Sequence, residues 1–199
     1  MGNNKPDENT YSSLTHPKCK LQVHIVKTFE CDIDLAITGL MDPAHGAFIH
    51  TSSLWRKYGQ TEKKSKRFVP LPLGWRMESH TASLNSRAYR FFMGGAPKTQ
   101  IDYVLPGIRF EHAWTPRVNY QGLTSCTPID KNRTAVNHFM YWDLPGGVPL
   151  RGIIKLFGNR FLEQDAQAVL DMKDGQAFGP ESILVEGADT QIRWYFKLK

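Results

Sequence analysis

The sequence predicts an α+β fold, an antiparallel sheet packed against helices, and three observations carry that expectation. From about residue 67 to 142, apolar and polar residues alternate with period two in short segments separated by Pro and Gly, the pattern of a meandering sheet. Past residue 150 the apolar residues recur at helical spacing instead. Neither an internal repeat nor a linker divides the 199 residues, so one core is expected.

Residues 1–17 are polar and turn-rich, with Pro6, Asp7 and Pro17, and read as a flexible arm ahead of a single domain over 18–199. Leu21, Val23 and Ile25 alternate with Gln22 and His24, which makes a first strand. A helical segment is expected over residues 34–50. Trp75, Met77 and Ser79 then alternate with Arg76, Glu78 and His80. Ile101, Tyr103 and Leu105 lead to a break at Pro106 and Gly107, and Ile108, Phe110, His112 and Trp114 resume the alternation. Val136, His138, Met140 and Trp142 repeat it before Pro145, Gly146 and Gly147. Phe161, Leu162, Val169 and Met172 form the apolar stripe of a later helix, opposite Glu163, Gln167, Asp171 and Asp174. Gly175 is placed to cap its C-terminus. Asp189 is placed as the N-cap of a last helix, Thr190–Leu198.

Composition narrows the class. Hydrophobic residues are 41% and charged residues 22% of the chain, which is globular rather than disordered. No run of apolar residues is long enough for a membrane-spanning helix. The first residues lack the apolar run of a signal peptide, and Pro6 stands where an N-myristoylation signal needs Ser or Thr. A soluble, cytoplasmic protein is expected. Cys19, Cys31 and Cys126 are too few and too scattered for a disulfide framework, and none has C-x-x-C or C-x-H spacing. Much of the net charge of +6 sits in Arg56, Lys57, Lys63, Lys64, Lys66 and Arg67. That stretch reads as a solvated loop, so no nucleic-acid partner is expected.

The chemistry concentrates in Gly39–His50, where Asp42, His45 and His50 fall in D-x2-H-x4-H spacing. On a regular helix Asp42 and His45 are neighbours on one face. His45 and His50 are splayed by about 140° at the usual step, so a local bulge at Gly46 is needed to bring both rings to one point. Neutral imidazole is the commonest metal ligand, although two neighbouring histidines can equally be ordinary surface or core residues. Asp165 adds a second signal, because it interrupts the apolar stripe of the late helix, between Phe161, Leu162, Ala168 and Val169. A carboxylate there is costly unless paired, protonated or bound to a cation. Either an arginine pairs with it, or it completes a metal site with His45 and His50. Two histidines and one carboxylate leave open positions, the set that suits non-haem Fe(II) and oxygen chemistry.

The segments GLMDPAHGAFIH, LTSCTPID, NHFMYW, FLEQDAQAVLDMK and ADTQIRWYFKLK together resemble the C-terminal catalytic domain of Rieske non-haem iron oxygenases. The resemblance covers roughly residues 20–199 and is to the aromatic-ring-hydroxylating dioxygenase α-subunit and vanillate O-demethylase type. It implies a helix-grip (START-like) fold with mononuclear Fe(II) held by His45, His50 and Asp165. It also implies that Asp42 is the bridging aspartate, which links an iron-ligand histidine across a subunit boundary to a Rieske-cluster histidine. A homo-oligomer, a trimer in the family, follows from the same resemblance. Two features depart from it. Gly39 stands where many relatives carry Asn, and the chain holds neither the C-x-H nor the C-x-x-H pair that binds a [2Fe–2S] cluster.

The expectation is therefore a catalytic half: a split subunit, a truncated form or a stand-alone descendant. It would use O2 to hydroxylate or demethylate an aromatic or other hydrophobic substrate, with electrons from a separate Rieske or ferredoxin-type donor. The alternative is a helix-grip module that binds a hydrophobic ligand without catalysis, or a relic. A zinc hydrolase would need an H-E-x-x-H helix, which the sequence lacks.

Overall fold

A computed structural model, describing residues 19–42, 49–50, 66–81, 87–144, 150–179 and 184–199, joins the alternating segments into one seven-stranded antiparallel sheet. The strands are β1 (Lys20–Phe29), β2 (Phe68–Leu71), β3 (Gly74–Thr81), β4 (Lys98–Val104), β5 (Ile108–Trp114), β6 (Asn119–Asp130) and β7 (Arg133–Trp142). Their order is β1-β7-β6-β5-β4-β3-β2, so β2 to β7 form a meander and β1 adds to its far edge. Pro70 lies in the edge strand β2, where a missing N–H costs no ladder bond. The expected arm, residues 1–17, lies outside the described residues.

Among the described residues four helices accompany the sheet: α1 (Ile33–Met41), α2 (Arg87–Phe92), α3 (Arg151–Gln176) and α4 (Thr190–Leu198). Three expectations need correction. The helix expected over 34–50 stops at Met41, because Asp42 is extended with φ −60 and ψ 115. Pro43 follows it, and a residue before proline is pushed out of the helical region. The stretch from 67 to 142 is not all strand, since α2 interrupts it. Gly175 does not cap α3; the helix runs through it to Gln176, and the capping residue Ala177 keeps helical dihedrals. Asp189 does precede α4, but its carboxylate accepts from the Val185 N–H at 2.7 Å instead of from the helix.

The ladder register fixes which side chains face the helices. Cross-strand partners put Trp75, Tyr103, Arg109, Thr124, His138 and Ile25 in one row and Met77, Ile101, Glu111, Gly122, Met140 and Val23 in the next. Helix α3 packs on this face at the β1 side. A Cβ on Gly158 would collide with Ile25 and come within 3.1 Å of Met140. Helix α1 lies over the middle, where Ile37 packs on Gly107 and Cys126. Helix α4 covers the β2–β3 side: Trp194 meets Phe68 and Trp75 edge-on, and Trp75 Nε1 donates to Gln191 Oε1 at 3.0 Å. The core lies between sheet and helices, with Phe29, Val136, Trp142 and Tyr195 almost fully buried.

Glycine is a packing requirement where β3 begins. A Cβ on Gly74 would run into the backbone carbonyl of Tyr103 across the β3–β4 ladder, and backbone cannot rotate away as a side chain can. Gly152, near the start of α3, has nothing within 4 Å of a Cβ. Gly74→Ala is therefore expected to destabilise the fold by about 1–3 kcal/mol. Gly152→Ala should stabilise it by up to about 1 kcal/mol through helix propensity. Denaturant midpoints of the two variants against wild type check both signs.

Candidate functional site

Helix α3 buries only three residues, Leu162, Asp165 and Val169, so the carboxylate singled out in the sequence sits in the middle of the helix's inward face. The stripe is closed by Gly158 on β1 and β7 at one end and by Val169 against Gly39 of α1 at the other. His50 meets Asp165 there. Its Nε2 lies 3.4 Å from Asp165 Oδ1, and the two residues are 2% and 5% exposed, so neither charge state is set by bulk water. On its other side, His50 Nδ1 lies 3.1 Å from Gln164 Oε1, and Phe161 stacks on the ring with centroids 3.4 Å apart. With its proton on Nδ1, facing the amide oxygen, the ring would turn the Nε2 lone pair toward Asp165; protonated on both nitrogens, it would form an ion pair with it.

That arrangement fits a cation. A separation of 3.4 Å is too long for a good N–H···O bond, which spans about 2.7–3.2 Å. It matches the edge between two ligands about 2.0–2.2 Å from one ion at a roughly tetrahedral angle. The contact is favourable as an imidazolium–carboxylate pair or, with the ring neutral, around a cation held between the two. The third residue of the expected set, His45, lies outside the described residues.

Asp42 ends α1, with its backbone N–H donating to Thr38 O at 3.1 Å. It borders an open cleft of about 330 Å³ between α1, the end of α3 and α4, together with Asp32, Asp34 and Asp189. Asp34 is held by Tyr195 and Lys199 at 2.5–2.6 Å. The structure thus joins His50 to Asp165 and puts Asp42 at the rim of an acidic cleft.

A second polar cluster, not read from the sequence, lies on the helix-facing side of β5–β7. Arg109 Nη2 pairs with Glu111 Oε2 at 3.0 Å, and its Nε donates to the Tyr103 hydroxyl at 3.3 Å. Beside them Thr124 Oγ1 and His138 Nδ1 are 2.8 Å apart. Tyr120 Oη and His138 Cε1 meet over Gly122, at 3.0 and 3.3 Å from where a Cβ would stand. Burial opposes the charge of Arg109, but Glu111 and Tyr103 outweigh it and hold the guanidinium firmly protonated. Burial, and then the Arg109 charge, push His138 down to about 4, with Glu111 acting weakly the other way. The ring is therefore neutral at pH 7. Arg109 and Thr124 also border a small apolar cavity of about 20 Å³ under α1, room for one water or a methyl group. The sequence signal for this cluster is faint, since opposite charges two apart on a strand ordinarily mark its solvent side.

No family model matches the chain, and no curated protein matches it in sequence. Solved structures do match in fold. Dicamba monooxygenase bound to 3,6-dichlorosalicylic acid superposes with a TM-score of 0.70 at 13% identity, over 92% of this chain and 60% of that one. NdmA from Pseudomonas putida CBB5, with theobromine, gives 0.67 at 12% identity over 94% and 51%. The quaternary ammonium Rieske monooxygenase CntA gives 0.58 at 12% identity over 79% and 40%. The chain thus spans 60% or less of the length of these relatives. The α+β helix-grip arrangement expected from the sequence is the fold they share with it. Among the described residues, no helix is long and apolar enough to cross a membrane.

The depressed His138 gives a signed pH dependence. Above the ordinary histidine value of 6.5 the ring is neutral folded and unfolded, and contributes nothing. As pH falls from 6.5 to about 4 only the unfolded chain takes the proton, so stability drops, and below that window the loss is complete. His138→Asn keeps an acceptor for Thr124 and removes the titration, while the other histidines are common to both proteins. The variant should lose less stability across that window than wild type, by up to about 3 kcal/mol at roughly 1.4 kcal/mol per pKa unit. Urea unfolding at several pH values measures the difference.

Proposed function

We propose that this chain is the catalytic domain of a non-haem Fe(II) oxygenase, acting on an aromatic or other hydrophobic compound. The observation that carries the reading is the buried Asp165 carboxylate facing His50 Nε2 at 3.4 Å, on a fold shared with solved monooxygenases. His45, His50 and Asp165 would hold the iron. Ferrous iron bound by two histidines and a carboxylate supplies O2 binding and activation at its open positions.

The rest is done by the chain's own residues. Gln164 Oε1, 3.1 Å from His50 Nδ1, would hold a proton there and so keep Nε2 available to the metal. Phe161 covers the ring and excludes water from it. The helix-facing side of the sheet orients the substrate. Asp42 takes the bridging role in a homotrimer, carrying electrons toward His45 or His50 from a neighbouring centre. The 199 residues contain no cysteine–histidine pair of cluster spacing, so electrons come from a Rieske or ferredoxin-type centre outside them.

Anaerobic reconstitution with Fe(II), followed by elemental analysis, tests the ligand set. Wild type should retain stoichiometric iron and Asp165→Ala should not. Full occupancy in that variant defeats the assignment, and an iron-free wild type favours a ligand-binding module. Asp42→Asn keeps shape and loses charge. It should retain iron while donor-dependent turnover falls by about 10–100-fold, the usual cost of disturbing a ligand's hydrogen-bonded neighbour. Unchanged turnover in an iron-loaded Asp42→Asn preparation would leave Asp42 with a helix-end role alone.

A further inference from the structure

We propose that Arg109 and Glu111 form the polar end of the substrate site and select an uncharged primary or cyclic amide on an aromatic body. The inference rests on the oxygenase reading only in calling that ligand a substrate.

An ion pair on the helix-facing side of a central strand is a poor stabilising device, because its desolvation cost offsets most of its attraction. A structural pair of this kind is expected to be fully engaged. Arg76 and Asp102 show that case on the opposite face: two parallel bonds of 2.7 Å, with the carboxylate side chain 4% exposed and the arginine 39%. Arg109 and Glu111 differ. They share one contact of 3.0 Å, and about a quarter of each side chain, 25% and 23%, stays accessible although both project into the interior. Among the described residues the guanidinium uses two of its five N–H groups, on Glu111 and Tyr103. Gly122 stands opposite Glu111 on β6, and the Tyr120 hydroxyl and the His138 ring lie over it. Thr124 and the neutral His138 line the same row and satisfy each other at 2.8 Å.

The charges decide the ligand. A carboxylate reaching Arg109 would lie against Glu111, and an ammonium reaching Glu111 would lie against Arg109. In a poorly solvated interior either approach costs several kcal/mol. A neutral group with an acceptor and a donor on one edge meets no such penalty. Its C=O accepts from Arg109 and its N–H donates to Glu111, side by side. Primary and cyclic amides present both on one edge, whereas a secondary amide holds them on opposite edges in its trans form. Helix α3 crosses this side of the sheet at Gly158, over Ile25, the cross-strand partner of His138. Asp165 lies seven residues further along it, about 10 Å by the helical rise. An aromatic amide gripped at Arg109 and Glu111 therefore extends toward the His50–Asp165 end of the same interior.

The test uses the full chain, isotopically labelled and without added metal, titrated by NMR with benzamide, benzoate, benzylammonium and N-methylbenzamide. Benzamide should shift the amide signals of Gly122, Thr124 and His138 and bind at least about tenfold more tightly than the other three. In Glu111→Gln the repulsion is gone and Arg109 is released, so benzoate should overtake benzamide. Several results overturn the proposal: no binding of benzamide at millimolar concentration, shifts confined to other residues, or a charged probe that equals benzamide on wild type. An unchanged ranking in Glu111→Gln does so too. Should that variant fail to fold, the wild-type comparison of benzamide with N-methylbenzamide decides, since equal affinity removes the paired-edge geometry. A chain that ranks the probes as stated but retains no iron would lose the oxygenase reading and keep this one.

Discussion

The rotation of α3 about its own axis is the constraint on which the candidate site depends. A 26-residue helix with only three buried residues has little apolar surface to hold it in place. Its orientation comes instead from two close approaches. Gly158 admits Ile25 and Met140, and Val169 enters the space left by Gly39. These positions are eleven residues apart, about three turns, so they lie on one face, and Asp165 falls about 20° from Gly158 and about 40° from Val169 on it. Seating both ends therefore aims the carboxylate inward whatever its own preference. Gly39 gains a physical reason in the same way: a larger residue there would compete with Val169 for space and turn the helix.

Burying Asp165 has a cost that only its surroundings offset. The carboxylate is opposed by an imidazole whose far nitrogen faces Gln164, so the state of that one ring decides how the cost is met. Gln164 precedes Asp165 and both approach one histidine, which makes the Gln-Asp dipeptide a single device: one residue at Nδ1 and the other at Nε2. The polar cluster on the sheet is built differently. Arg109, Thr124 and His138 align because three strands pair in register, each contributing one side chain to a row. Helix geometry controls one group of polar side chains and ladder register the other, and both face the same interior.

Legibility in the sequence followed the same division. Strands β1, β3, β4, β5 and β7 and the bounds of α4 were readable because alternation and helical period report burial directly. Asp165 was readable because it breaks a period. The start of α3 at Arg151, ten residues before the apolar stripe becomes regular, was not, since exposed Ile153 and Leu156 blur the pattern in its first turns. The end of α1 lay in plain sight at Pro43, but the histidine spacing invited a longer helix. On β5 the alternation names Ile108, Phe110, His112 and Trp114 as one side, and the register turns the other side, Arg109 and Glu111, toward the helices. A period of two identifies two faces and does not say which one is covered. Here Phe110 is buried on the far face, in the row of Asp102 and Leu123, and Ala113 on the near one, so each face of this central strand is covered in part.

That double burial bears on what the interior can be used for. A strand covered on both sides gains stability from apolar residues on both, and replacing such residues with an arginine and a glutamate forfeits part of that gain. The fold tolerates it because the row ends in apolar residues, Trp75 at one side and Ile25 at the other, which pack under α4 and α3 and carry the helix–sheet contact themselves. Over the middle of the row α1 leaves a small cavity of about 20 Å³ beside Arg109 and Thr124. Polar side chains that stay partly accessible in such a row are what a ligand-binding floor requires.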